Sequence, residues 1–386
     1  GDVRLTFAGT IEVDGHVEYV HPLHNLAVVR YDPKQLGDTP VRAVHFSDQL
    51  PVTGEIVNVV GLHADNRVVS QQATVASIGP VGFPLSRTLQ FRDANLEIIS
   101  LVNGPADFDG LIVNRRGDVV ALWSSFAYEN GRELEQQNMG IPASLVQAML
   151  EYARDGRPLY SAEAEFGLLS LAEARRLGLG QQWIERLTAH DPQRRQVLTI
   201  ERLVAGSPAA QVLVPGDLLL AVDGQVVNSF SDADAAVHAP HVVLTLWRSG
   251  AELVIPLDTV LLSGHDIDRV LIWAGATLQE PHRAIAAQRG IRPDGIFIAF
   301  FMYGSPASRY KLWAGRRITE VDGVPVPDLD AFIRAVSGRP DHSSLRLKTV
   351  SWNDAVDIIT LRLDRHYWPA YELRRNEAGW QRVPLE

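Results

Sequence analysis

Gly206-Ser207-Pro208-Ala209-Ala210, followed by Pro215-Gly216-Asp217-Leu218-Leu219-Leu220-Ala221-Val222-Asp223-Gly224-Gln225-Val226-Val227, is a stretch that the chain uses twice. Its second form is Gly304-Ser305-Pro306-Ala307-Ser308, then Ala314-Gly315-Arg316-Arg317-Ile318-Thr319-Glu320-Val321-Asp322-Gly323-Val324-Pro325-Val326. A spacing of about 100 residues is too long for a solenoid repeat and right for a small domain. In each copy Gly-Ser-Pro-Ala predicts a turn into a short helix, because proline presets φ where no donor is needed. Leu218, Leu220 and Val222 alternate as strand residues do. Asp223-Gly224 and Asp322-Gly323 predict tight hairpins, since glycine accepts positive φ. A second short strand and a helix follow, the helix from Asp232 to Val237 in one copy and from Leu329 to Val336 in the other. Unrelated hairpins explain one such copy; the same order of parts twice calls for a duplicated fold.

The pattern Gly-Ser-Pro-Ala, Gly-Asp-hydrophobic, Asp-Gly-hydrophobic-x-Val resembles a PDZ domain of the bacterial kind. The first copy fits it closely. The second is looser, with Trp313-Ala314-Gly315-Arg316 in place of Pro-Gly-Asp.

At 386 residues the chain holds two to four domains. Hydrophobic content of 46% and charged content of 21% are ordinary for a globular protein. A formal net charge of -10 argues against a nucleic-acid groove. Lysine is confined to Lys34, Lys311 and Lys348, so the positive charge is nearly all arginine, without any arginine-rich run. The absence of cysteine removes disulfides, thiolate metal sites and cysteine nucleophiles, and leaves the redox compartment open between periplasm, cytoplasm and nucleus. No apolar run reaches the length of a membrane span. Gly1-Asp2-Val3-Arg4 has no charged-then-apolar leader and reads as the inside of a strand, a cloning scar or the cut end of a longer protein.

Residues 1–158 read as all-β with one closing helix. Candidate strands run over 3–7, 16–20, 26–31, 55–61, 72–78, 96–101, 110–113 and 119–125, at barrel or sandwich spacing. Asp14-Gly15 and Arg116-Gly117 are hairpin signals. The helix begins near Pro142-Ala143-Ser144 with Leu145, Met149 and Tyr152 on one face, and Asp155-Gly156-Arg157-Pro158 marks a boundary. Residues 159–262 form the first PDZ-like unit, with a helix from Leu171 to Leu177 stopped by Gly178. Residues 263–366 form the second, opened by Leu271-Ile272-Trp273-Ala274-Gly275-Ala276. Residues 367–386 are an aromatic, charged tail, whose Tyr367, Trp368, Tyr371 and Trp380 suit docking on a domain surface.

A β-domain followed by PDZ modules resembles the HtrA family of serine proteases, over nearly the whole chain. His21-Pro22-Leu23-His24-Asn25-Leu26-Ala27-Val28-Val29-Arg30-Tyr31-Asp32-Pro33 is similar to the family's segment around the triad aspartate. Asn25 stands at the aspartate. Ile112-Val113-Asn114-Arg115-Arg116-Gly117-Asp118-Val119-Val120-Ala121-Leu122 is similar to the hairpin after the nucleophile loop, which sets Ala106-Asp107-Phe108-Asp109-Gly110-Leu111 at that loop and Phe108 at the nucleophile. Acyl transfer needs a hydroxyl beside a base that an acid orients. No serine, threonine or cysteine lies between Ser100 and Ser124, so a shift of a few residues restores no nucleophile. Asparagine can orient a histidine but cannot stabilise its cation, a change worth ~10⁴ in rate in the worked serine-protease triad. The resemblance places the family's histidine strand before Gly1. The fold expected is therefore multidomain and mainly β: a truncated trypsin-like β-barrel domain followed by two α+β PDZ domains. The barrel is expected to be degenerate, with no catalytic residue.

A closer resemblance is to the fungal nuclear HtrA-type proteases, which carry two protease–PDZ units, the first active and the second degenerate. It rests on His21–Pro33, on Phe166-Gly167 with Arg175-Arg176-Leu177-Gly178, on Trp273-Ala274-Gly275-Ala276-Thr277-Leu278-Gln279-Glu280-Pro281-His282, and on Pro327-Asp328-Leu329-Asp330-Ala331-Phe332. It implies a non-catalytic, regulatory and peptide-binding part of an HtrA-like protease. The alternative is a serine endopeptidase of protein quality control whose triad lies upstream or in a partner chain.

A PDZ groove binds an extended peptide as an added strand and its carboxylate on consecutive backbone N–H groups. Glu165-Phe166-Gly167-Leu168 matches that loop in the first unit, with Ala235 and Ala236 on the facing helix. In the second, Trp273-Ala274-Gly275-Ala276 stands at the loop, with Phe332, Ile333 and Val336 on the helix; the bulky Trp273 points to a changed or filled groove. The partners expected are peptides or protein C-termini, with an active protease half or a second copy of the chain as further partners, and no nucleic acid. No cofactor or metal is expected. His21 and His24 have ligand spacing but no third ligand nearby, Asp107 and Asp109 suit a solvated loop, and Asp232 and Asp234 suit a helix N-terminus.

Overall fold

The computed structural model describes residues 3–84, 94–130, 133–262, 267–376 and 379–385. They form two compact units. The first holds residues 3–84, 94–201 and 212–262, and the second holds the rest.

The first unit begins with a three-stranded antiparallel sheet of Val3–Phe7, Ile11–Val20 and Ala27–Tyr31. Here the structure corrects one expectation. Asp14-Gly15 is not a turn but lies inside Ile11–Val20, with Gly15 opposite both Val3 and Tyr31. The turn is Ala8-Gly9, both at positive φ (51° and 68°). Gly15 is needed for a different reason: a Cβ there would come within 2.7 Å of Val29 Cγ1.

A closed barrel follows, in the order Ile56–Leu62, Val68–Pro80, Glu97–Val102, Glu133–Pro142, Val119–Asn130 and Gly110–Val113. Inward residues alternate along each strand, and Val57, Val59, Val75, Ile99, Ile112, Ala121 and Trp123 fill the interior. Arg116-Gly117 makes the expected hairpin, with Gly117 at φ 85°. The strand Glu133–Pro142 was not legible, because Glu133-Leu134-Glu135-Gln136-Gln137 carries little apolar alternation. It forms by pairing along its whole length with Val119–Asn130. The helix Ala143–Asp155 buries Ala143, Val146 and Met149, so its inner face is turned slightly from the one expected, and Gly156 ends it in the left-handed region.

The rest of the first unit is an α+β sheet in the order Ala164–Ser170, Gln196–Leu203, Leu218–Val222, His241–Arg248, Ala251–Asp258. The helix Leu171–Arg176 starts in a capping box of Ser170 and Glu173. Gln181–His190 is a further helix, packing Trp183, Ile184 and Leu187 against Leu218 and Leu220. Asp223 and Gly224 turn at φ 47° and 78°, as the Asp-Gly motif requires. Leu159–Ser161 pairs with Val260–Leu262, so the two ends of residues 159–262 meet.

The second unit is built on a 9-stranded sheet that repeats this plan and extends it. Arg269–Trp273 and Ala276–Gln279 form a hairpin through Ala274 and Gly275, at φ 53° and 79°. Ile296–Phe301, Arg317–Val321, Ser344–Val350 and Val356–Arg362 continue the sheet, and the helix Leu329–Val336 closes over it with Phe332 fully buried. Tyr371–Asn376 and Gly379–Pro384 pair with each other, and the former pairs with Arg269–Trp273. Among the described residues no helix is long and apolar enough to cross a membrane.

Candidate functional site

The first PDZ-like groove is expected between the strand Ala164–Ser170 and the helix Phe230–Ala236. Glu165, Phe166 and Gly167 are buried. Gly167 is tightly specified, since a Cβ would come within 2.2 Å of Glu201 Oε1. Ser229 caps the helix by accepting from Asp232 N–H. Ala236 is buried on the helix and Ala235 is exposed.

The outer edge of Ala164–Ser170 meets the barrel's own chain. Asn95 Oδ1 accepts from Phe166 N–H at 2.8 Å, and Asn95 Nδ2 donates to the Ala164 carbonyl at 2.8 Å. Two residues on, Glu97 forms an ion pair with Arg194 at 2.7 Å and accepts from Ser231 Oγ, on the helix, at 3.2 Å. One short segment therefore touches both the strand Ala164–Ser170 and the helix Phe230–Ala236. Burial pushes the Glu97 carboxyl up, even with the Arg194 guanidinium and the Ser231 hydroxyl pulling it down. The 2.7 Å contact nonetheless identifies a charge-assisted pair, and Arg194 is itself held charged by Asp191 and Glu97. Asp234, half-buried on the same helix, is raised to about 6, by burial first and by Glu97 in addition, against the pull of His24.

Sequence reasoning does not single out Asn95, Glu97 or Arg194. The available signal was Glu97, a charge opening the otherwise apolar run Ile98-Ile99-Ser100-Leu101. A charge there needs a partner, but nothing local names Arg194, 97 residues away.

Phe108 is 8% exposed and belongs to the barrel core with Val57, Ile112 and Trp123. Its loop is clamped to the neighbouring strand. A Cβ on Gly61 would meet Asp109 O at 2.1 Å and Phe108 Cδ2 at 2.7 Å, and one on Gly110 would meet Val60 O at 2.1 Å. Trp123 Nε1 donates to Pro105 O at 3.0 Å, and Asn138 Nδ2 to Asp109 Oδ1 at 3.3 Å. Beside this loop is an open cavity of about 510 Å³ lined by Leu101, Gly104, Pro105, Trp123, Gln137 and Asn138. His63 Nε2 is 3.7 Å from Asp107 Oδ2, and its Nδ1 is 3.4 Å from Asp65 Oδ1. His45, His190, His241 and His342 also lie against aspartates.

Asn25 is exposed, in the bend between Ile11–Val20 and Ala27–Tyr31. Leu26 beside it packs on Leu96, Ile98, Met139 and Ile141. His21 and His24 are buried with ring centroids 4.6 Å apart. Among the described residues His, Asp and Glu nowhere gather in threes as a metal site does.

In the second unit Trp273, Ala274 and Ala276 are buried. Trp273 meets Phe332 edge-on at 5.3 Å. A Cβ on Gly275 would come within 2.2 Å of Ser305 Cβ and 3.0 Å of the Trp368 ring.

Residues 199–248 match the PDZ domain family model. Over its whole length the chain is 32% identical to Protease Do-like 7 of Arabidopsis thaliana, covering 39% of that protein. It is 30% identical to a PDZ domain-containing protein of Schizosaccharomyces pombe, with 100% of this chain and 39% of that one covered. It is 29% identical to the pro-apoptotic serine protease nma111 of Aspergillus oryzae, with 99% and 39% covered. The chain thus spans about two fifths of the length of the curated relatives it matches. Among solved structures it is similar to the HtrA-type protease AlgW with tripeptide, at 19% identity and a TM-score of 0.43, covering 65% of this chain and 78% of that one. It is also similar to a serine endoprotease from Yersinia pestis, at 15% identity and a TM-score of 0.39, with 67% and 80% covered.

Proposed function

The chain belongs to the HtrA-like protease family, with a β-barrel and a PDZ domain, and from that premise we propose that it is a non-catalytic, regulatory and peptide-binding part of an HtrA-like serine protease. The observation that carries the reading is Phe108. At the position where the family resemblance puts the nucleophile, the side chain is apolar and packed into the barrel interior. Covalent catalysis needs a hydroxyl or thiol presented to a base and to the substrate; a buried phenyl ring offers neither.

Binding is assigned to the first PDZ-like unit, at the backbone of Phe166, Gly167 and Leu168. An extended peptide with a free C-terminus adds there as a strand, and to do so it must displace Asn95 from Phe166. The regulatory role follows from that competition, because Asn95 and Glu97 lead directly into the barrel strand Glu97–Val102.

The test is incubation of the full chain with a fluorophosphonate serine probe and with unfolded casein. No covalent label and no cleavage are expected; labelling of any residue of this chain ends the proposal. The second reading is a serine endopeptidase whose triad lies upstream or in a partner chain. It is favoured by the protease names of relatives of which this chain spans about two fifths, one of them named a serine protease. Casein cleavage that requires both this chain and a partner carrying the triad, with neither cleaving alone, supports it, whereas stimulation of a protease already active by itself belongs to the regulatory reading.

A further inference from the structure

The two α+β units share a strand order, and the second carries more. In the first sheet Ala164–Ser170 is the end strand, followed by Gln196–Leu203, Leu218–Val222, His241–Arg248 and Ala251–Asp258. In the second, Ala276–Gln279, Ile296–Phe301, Arg317–Val321, Ser344–Val350 and Val356–Arg362 repeat that order. The Gly-Ser-Pro-Ala and Asp-Gly motifs fall between matching strands in both. Ala276–Gln279 is thus the counterpart of Ala164–Ser170, whose outer edge is the one that takes an added peptide strand.

In the second unit that edge is already paired. Arg269–Trp273 runs antiparallel along it, with Leu271 opposite Leu278, Ile272 opposite Thr277 and Trp273 opposite Ala276. The resident strand is held as a bound peptide is held, against both sheet and helix. Trp273, 2% exposed, packs on Phe332 of the helix Leu329–Val336. Arg269 donates to Asp330 of the same helix at 2.7 Å and to Glu372 at 2.5 Å. Glu372, 1% exposed, also accepts from Arg374 at 2.7 Å, so its buried charge is compensated by two guanidinium groups. Trp368, Ala370 and Leu385 cover the turn at Trp273 and Ala274, leaving a void of about 20 Å³, room for about one water.

We infer that the second PDZ-like unit is self-liganded: Arg269–Trp273 is the resident occupant of its peptide edge, and the hairpin of Tyr371–Asn376 and Gly379–Pro384 is the clasp that keeps it seated. The inference rests on reading residues 267–385 as PDZ-like. An intramolecular strand competes at an effective concentration in the millimolar range, so an external peptide of ordinary affinity does not replace it. Peptide recognition by the chain falls to the first unit, and the second serves as a closed scaffold.

The test is amide hydrogen exchange on the full chain, alone and with a heptapeptide pool of randomised core and a free C-terminal valine. Amides of Leu271, Ile272 and Trp273 are expected to exchange slowly and to ignore the peptide. In Glu372→Gln their exchange accelerates about tenfold, the loss of one charge-assisted contact, while Ile296–Ile298 and Leu345–Leu347 stay protected and report an intact fold. Fast exchange of 271–273 in the unsubstituted chain overturns the inference. So does peptide-induced protection of Ala276–Gln279, or an unchanged rate in Glu372→Gln. Protection at 164–170 reports on the first unit alone, so its absence counts against the proposed peptide binding and leaves this inference standing.

Discussion

The side chain of Asn95 bonds the backbone around Phe166 as a strand would, its amide oxygen 2.8 Å from Phe166 N and its amide nitrogen 2.8 Å from the Ala164 carbonyl oxygen. On the proposed peptide binding, a free carboxylate arriving at the loop meets this carboxamide first. Asn95→Ala removes the competitor at the cost of two hydrogen bonds, each worth about 1 kcal/mol net. Affinity for peptides with a free C-terminus is therefore expected to rise several-fold, to a limit of about thirtyfold. Anisotropy of a labelled heptapeptide on the full chain measures it. Amidated peptide is expected to bind at least about tenfold more weakly, because a neutral terminus loses the charge-assisted bonds. Affinity unmoved by Asn95→Ala means that peptides bind elsewhere.

Phe108→Ser puts a hydroxyl at the position where the family resemblance puts the nucleophile and tests what the barrel can do with it. The substitution leaves a void among Val57, Ile112 and Trp123, and a loss of about 3 kcal/mol in unfolding free energy is expected. No proteolysis is expected, since Asn25 replaces the triad aspartate by the same resemblance. Urea denaturation and the fluorophosphonate probe read the two outcomes. A variant that keeps full stability would show that Phe108 is not packed as described.

The repeated motif itself shows what was legible. Asp217 of the first copy, 1% exposed, holds Arg248 in a bidentate pair with both contacts at 2.6 Å. The second copy has Arg316 in its place, and Arg316 pairs with Asp357 instead. The second motif thus keeps an ion pair but a different one: Arg248 stands on the strand next to Leu218–Val222, whereas Asp357 stands one strand further out. Arg248→Lys keeps the charge but loses the planar fork, with Asp217 still buried. A loss of about 2 kcal/mol is expected for the first unit, read as a lower urea midpoint with an unchanged slope.

Turn chemistry and hydrophobic alternation were readable because they are local. Asp223-Gly224, Asp322-Gly323 and Gly178 each do what their residue types require at positive φ. Asp14-Gly15 reads as a turn because a glycine needed for close packing on Val29 looks the same in sequence as one needed for a turn. The contacts that decide the grooves are long-range. Nothing near Asn95 points to Phe166, and nothing near Arg269 points to Glu372, 103 residues on. Tyr371–Asn376 alternates weakly, and its strand state comes from pairing with Arg269–Trp273.

Acid acts on the first unit through buried His21, opposed by half-buried Asp234 and by buried Glu97, whose carboxyl is also pushed up by burial. His21 Nδ1 accepts from the backbone N–H groups of Leu23 and His24 at 3.2 and 3.1 Å, which only the neutral ring can do. Burial first, and His24 second, lower its pKa from 6.5 to about 3. Between those values the unfolded chain binds a proton that the folded chain refuses, so stability falls as pH drops, by at most about 1.4 kcal/mol per pH unit. Asp234 works in the opposite sense. Its pKa is raised from 3.8 to about 6, so in that window the folded chain binds the extra proton and acidification stabilises it. Asp234 is half-buried and partly screened, and buried His21 carries the larger shift, so between these two His21 prevails and stability falls below about pH 6.5, a fall that the raised Glu97 carboxyl makes shallower. His21→Asn keeps an acceptor for the turn without a titrating ring, and its stability should be flatter between pH 6.5 and 5. Asp234→Asn should raise stability at pH 7.5 and steepen the fall below pH 6. Urea midpoints at pH 7.5, 6 and 5 decide both, and a His21→Asn slope equal to that of the unsubstituted chain removes His21 as the cause.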